Sequence, residues 1–147
     1  MALLLQSATI TGGLEMPAGV TAPPTAQVVL LPLEYAKLFN AEAQRRIDDY
    51  WENFKPEFAR QKELFYQIMP LAYGAALETT LSRMRLDSST SNLIRSAPRG
   101  QFEFRGVPPG EYKLVATASI RGRDYVWTET LQLQSAPLFI QMKTRVP

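Results

Sequence analysis

Residues 100–118 read GQFEFRGVPPGEYKLVATA. Two alternating segments flank a short, stiff connection. Residues 101–105 place Phe102 and Phe104 on one face, and residues 112–120 place Tyr112, Leu114, Ala116 and Ala118 on one face. A period of two with aromatic and apolar residues on one side is the mark of a half-buried strand. Between them, Pro109 presets one central torsion and Gly110 can take a positive φ, so residues 106–111 predict a type II turn.

The β pattern continues outward in both directions. Arg121-Gly122 is a tight hairpin signal. Residues 123–133 then alternate, with Tyr125, Trp127, Leu131 and Leu133 on one face. Residues 135–137 turn the chain, and residues 138–142 form a last strand with Leu138, Ile140 and Met142 in register. Toward the other end, residues 5–12 alternate, with Ala8 and Ile10 opposite Thr9 and Thr11. Residues 13–24 contain two glycines and three prolines and predict a loop. Residues 26–33 (AQVVLLPL) are apolar on both faces and predict a buried strand ending near Pro32. About seven short strands at hairpin spacing predict a β-sandwich.

The middle of the chain changes period. Ile47, Tyr50, Trp51, Phe54 and Phe58 fall at helical offsets. Asn40 is the expected N-cap of that helix. Arg45 with Asp49, and Asp48 with Glu52, mark its wet side. Pro56 predicts a break, because proline removes a helical hydrogen bond. A second stripe runs through Phe58, Phe65, Ile68, Met69 and Ala72. Pro70 interrupts it, and Tyr73, Leu77, Leu81 and Met84 continue in phase. The expected fold is mainly β with an α insertion. It is a seven-stranded, antiparallel, Ig-like or prealbumin-like sandwich over residues 1–147, with two or three helices inserted over residues 35–95 between strands 2 and 3. A separate helical bundle beside a small β unit is the competing architecture.

Composition narrows the chemistry. The 147 residues hold 16 Lys and Arg against 14 Asp and Glu, too even a balance to predict a nucleic-acid partner. There is no His, which removes imidazole bases and His metal ligands. There is no Cys, which removes thiolate metal sites and disulfides. Residues 1–5 are apolar but far short of the ~20 residues that span a bilayer. No membrane span, cofactor or metal site is expected. Asp48, Asp49 and Glu52 are expected to be a solvated helix face, and the arginines of the second half scattered surface charge.

Residues 100–118, with the run Gly-Val-Pro-Pro-Gly-x-Tyr, resemble the bacterial carboxypeptidase regulatory-like domain, within the transthyretin-like or collagen-binding B-type sandwiches. Residues 10–19 (ITGGLEMPAG) followed by 26–31 resemble the first hairpin of the same family. The likeness covers about half the chain, all of it β. One departure is the stretch Ser96-Ala-Pro-Arg99, where the family usually has an acidic turn. The resemblance implies a non-catalytic part of a secreted or envelope protein that supports a neighbour, binds other proteins or binds glycan. Two activities of related sandwiches find no residues here. The purine-pathway hydrolases use His and a C-terminal Tyr-Arg-Gly-Ser. The pilus isopeptide bond joins a first-strand Lys to a last-strand Asn, and residues 7–12 hold no Lys and residues 138–142 no Asn or Asp.

The expected function is therefore a non-enzymatic, extracytoplasmic module acting through protein–protein contact or structural support. Carbohydrate binding through exposed aromatics is the alternative. A carboxylate- and Tyr-based cytoplasmic enzyme ranks third. The candidate contact residues are Tyr50, Trp51, Phe54, Phe58, Tyr125 and Trp127, each weighed against simple core packing.

Overall fold

Strand β2 (Gln27–Pro32) is apolar on both faces, and the fold covers both. A computed structural model describes residues 7–17, 19–21, 26–60, 62–87 and 92–143, without the side chains of 54–60 and 62–66. The chain runs β1 (Ala8–Leu14), β2, α1 (Leu33–Arg60), α2 (Lys62–Leu86), β3 (Ile94–Ser96), β4 (Gln101–Val107), β5 (Gly110–Ile120), β6 (Arg123–Leu133) and β7 (Leu138–Met142). Seven strands make two sheets, ordered β4-β1-β7 and β3-β2-β5-β6.

The sheets enclose one core. Ile10, Val28, Leu30, Phe104, Leu114, Ala116, Trp127 and Met142 are buried between them. The helices cover the other face of the four-stranded sheet and enclose a second core. Val29, Leu31, Val115 and Val126 pack there against Tyr35, Phe39 and Ala43 of α1 and Tyr73, Leu77, Leu81 and Met84 of α2. Alternation along β2, β5 and β6 thus feeds the two cores in turn. Burying each large side chain contributes about 1.5–3 kcal/mol, which is enough to anchor the helical layer. Polar contacts fix the helices further. The Tyr35 hydroxyl donates to Asp87 at 2.7 Å, closing α1 onto the end of α2. The Lys113 ammonium donates to Asn40 Oδ1 at 2.7 Å and lies 5.4 Å from the centre of the Phe39 ring. Phe39 stacks on Tyr73 with ring centres 5.9 Å apart.

Several local expectations are corrected. Asn40 is not an N-cap, because α1 begins at Leu33, directly after the proline that ends β2. The first helix runs on through Pro56 and the second through Pro70. An interior proline costs about 3 kcal/mol. Around Pro70 that cost is offset by Ala72, Tyr73, Ala76 and Leu77, all buried. The sheets are not wholly antiparallel, since β7 pairs parallel to β1. The chain reaches β7 by crossing from β6 in the other sheet, so its direction is set by that crossing and not by a hairpin.

The loop expected from residue 13 starts later. β1 continues through Gly12 and Gly13 to Leu14, and the Glu15 amide donates to Met142 O at 2.7 Å. Gly12 is required: a Cβ there would lie 2.3 Å from Ile140 O and 2.6 Å from the Phe102 ring.

The GVPPGE connection is a crossover, not a hairpin. β4 pairs with β1, whereas β5 pairs with β2 and β6. Gly110 has φ 152°, outside the ~+80° of a type II turn. The left-handed residue is Gly106, with φ 65°. It sits in a β-bulge, because the pairs Ala8 with Val107 and Ile10 with Phe104 set three steps of β4 against two of β1. The Tyr112 hydroxyl donates to Pro108 O at 2.7 Å across the corner, and burial raises its pKa above the ordinary tyrosine value.

The hairpin at Arg121-Gly122 is as expected. Both residues have positive φ, 54° and 78°, the backbone of a type I′ turn. Arg121 pays a steric penalty of about 1 kcal/mol there. Arg121→Asn is expected to stabilise the chain by about 0.5–1 kcal/mol, read as a higher midpoint in urea with unchanged slope. Leu31→Ala is expected to cost about 2–5 kcal/mol. Hydrogen exchange should then quicken in α1, α2 and β5 together. Loosening of the helices alone would show that the second core is not shared with the sheet.

Candidate interaction surfaces

The aromatic stripe of α1 leaves the core as it advances. Phe39 and Ala43 are buried, Ile47 and Tyr50 are half-buried, and Trp51 is 39% exposed. The helix is roughly 42 Å long at 1.5 Å per residue, about twice the length of six-residue β2, so one strand cannot cover it. Phe54 and Phe58, the next residues of the stripe, have side chains outside the described set. The structure therefore places Tyr50 and Trp51 together near the surface and leaves that pair as the described part of the predicted surface.

Charge surrounds this stretch. The Arg45 guanidinium contacts Glu42 at 3.0 Å and Asp49 at 3.3 Å. The hydrogen bond from Arg45 holds the Glu42 carboxyl below the usual carboxylate range. Gln44 donates to Asp48 at 2.9 Å. These groups are exposed and screened, so they solubilise the face and do little to stabilise it. Arg83 and Arg85 lie in the last turn of α2, where they complement the helix dipole.

Tyr125 and Trp127 are corrected as contact candidates. Trp127 is fully buried between the sheets, and its indole N–H donates to Glu15 O at 2.9 Å. Tyr125 is 8% exposed and packs in the same core. Both point inward with Leu131 and Leu133, so core packing takes them.

Two surface clefts escaped the sequence reading. One, about 620 Å³, lies where α2 stops covering the four-stranded sheet. Leu71, Gly74 and Glu78 of α2 form one side, and Thr117, Ser119 and Asp124 form the sheet side. The second, about 430 Å³, takes in Gly13 and its outward-facing neighbours on the three-stranded sheet together with Arg95 and Ser96 of β3. Its rim holds Phe139, which is 68% exposed. Strand parity offered part of a signal for it: with Leu138, Ile140 and Met142 on one face, Phe139 and Gln141 share the other. The first cleft has no such signal, because it depends on where a helix lies across a sheet.

No family model and no curated protein matches the chain. Among solved structures, the full-length major pilin RrgB from Streptococcus pneumoniae aligns with 11% identity and a TM-score of 0.28. The alignment covers 95% of this chain and 30% of the pilin. A superposition of that quality carries no argument, so the fold rests on the strand pairing described above. Among the described residues, no helix is long and apolar enough to cross a membrane.

The two tryptophans report on these placements. Acrylamide is expected to quench one emitting component and spare the other. Trp51→Phe should remove the quenchable, red-shifted part and leave the shielded emission of Trp127.

Proposed function

We propose that this chain is a non-catalytic, extracytoplasmic sandwich module of the carboxypeptidase regulatory-like, prealbumin-like kind. It acts through protein–protein contact or as structural support for a neighbour. The helical layer is its contact element. One observation carries this reading: an aromatic stripe locked in the core at Phe39 reaches the surface at Trp51, which is 39% exposed. Core packing accounts for Phe39 and leaves part of Trp51 open to solvent, where an aromatic residue favours a partner surface. The absence of His and Cys from the chain further supports a binding module over an enzyme.

A photo-crosslinking residue introduced at position 51 tests this in the producing cell. One discrete protein adduct is expected at position 51 and none at the exposed control position Lys37. Tyr50→Ala should weaken that adduct, while Trp51→Ala should change stability by about 1 kcal/mol or less. Equal, diffuse labelling from positions 51 and 37 would remove the basis for a helical contact surface.

A further inference from the structure

The outer face of the three-stranded sheet has its own layout, independent of the helical contact surface. Register sets two rows across it. Thr11 lies between Glu103 of β4 and Phe139 of β7, and Gly13 lies between Gln101 and Gln141. Neighbouring strands are about 4.8 Å apart, and alternate residues about 6.8 Å apart along a strand, so the six positions frame a patch of roughly 10 by 7 Å. The patch is concave, part of a cleft of about 430 Å³ that Arg95 and Ser96 of β3 also line. A Cβ at Gly13 would come within 3.0 Å of Gln141 Oε1, so the missing side chain is what lets the Gln141 amide lie close over the floor.

The chemistry of this rim is mixed in a specific way. Phe139 offers an aromatic face. Gln101 and Gln141 offer amides that both donate and accept. Thr11 adds a hydroxyl, and Glu103 a carboxylate whose charge is balanced by its hydrogen bond from Arg105. A fully apolar ligand would strand the amides, and the cleft carries both signs of charge, with Arg95 beside the paired Glu103, so it favours neither an anion nor a cation. A ligand that satisfies the set has one C–H-rich face to lie on a ring and several hydroxyls in a plane around it. That is a neutral pyranose.

We propose that this concave patch around Gly13 is a binding site for a neutral sugar, with Phe139 stacking on the ring face and Gln101, Gln141 and Thr11 holding its hydroxyls. Phe139 is spare for folding, since its side chain is two-thirds exposed and the neighbouring Leu138, Ile140 and Met142 supply the packing. The patch occupies the layer opposite the helices, so a sugar and a protein partner can be held together.

The test is an array of neutral, amino and uronic oligosaccharides probed with the full chain, followed by titration of the strongest binder. A neutral sugar is expected to be retained. Phe139→Ala should weaken it about tenfold or more, because the stacking face is gone. Phe139→Tyr should keep binding near the starting value. Gly13→Val should abolish it by pushing the Gln141 amide out of place, with the thermal midpoint of each variant confirming that it folds. The proposal is overturned by an array without any neutral-sugar signal, or by a signal that Phe139→Ala leaves intact. It is overturned as well by a signal lost with Trp51→Ala in place of Phe139→Ala. Failure here leaves the crosslinking result at position 51 untouched, so the two readings fail separately.

Discussion

Leu30 and Leu31 are neighbours in the chain and belong to different cores. Strand β2 has no solvent side, and that constraint organises the molecule. A strand buried on both faces needs a sheet below it and another layer above it. The three-stranded sheet supplies the first and the helical pair supplies the second. Val115 on β5 and Val126 on β6 extend the upper apolar surface beside Val29 and Leu31. The helices are thus not an ornament on a finished sandwich. Without them four aliphatic side chains of the four-stranded sheet would face water.

The same constraint explains why the long excursion is tolerated. The loop-closure cost of inserting some 60 residues between two strands grows only logarithmically with length. The real requirement is apolar surface to bury, and Tyr35, Phe39, Tyr73, Leu77 and Leu81 meet it. The excursion is also held at its two ends. It leaves directly from β2, and it returns to β3, which pairs with β2 again. The Tyr35–Asp87 hydrogen bond joins those ends.

The layered stack leaves two outer faces with different chemistry. The helical side carries an aromatic stripe bordered by ion pairs. The opposite sheet face carries amides, a hydroxyl and one exposed phenyl ring around a glycine. Neither is needed to hold the cores together, which frees both to vary with function. The pair Tyr125 and Trp127, two residues apart on one face of β6, is consumed by the core, where the Trp127 indole also ties β6 to the residue after β1.

Much of the β framework was legible in the residues themselves. Period-two alternation correctly oriented β1, β5, β6 and β7, the doubly apolar 26–33 segment marked the doubly covered strand, and Arg121-Gly122 marked a two-residue turn. The helical stripe of 72–84 was equally clear. These are local signals, set by side-chain size, branching and backbone torsion within a few residues. What stayed hidden depends on contacts distant in sequence. The parallel pairing of β7 with β1, the sheet-to-sheet crossing at Pro108-Pro109 and the need for Gly12 beside Phe102 arise from how the sheets meet. So does the exposure of Phe139. Alternation shows which residues share a face of a strand, but only the assembled layers decide whether that face meets a core or water.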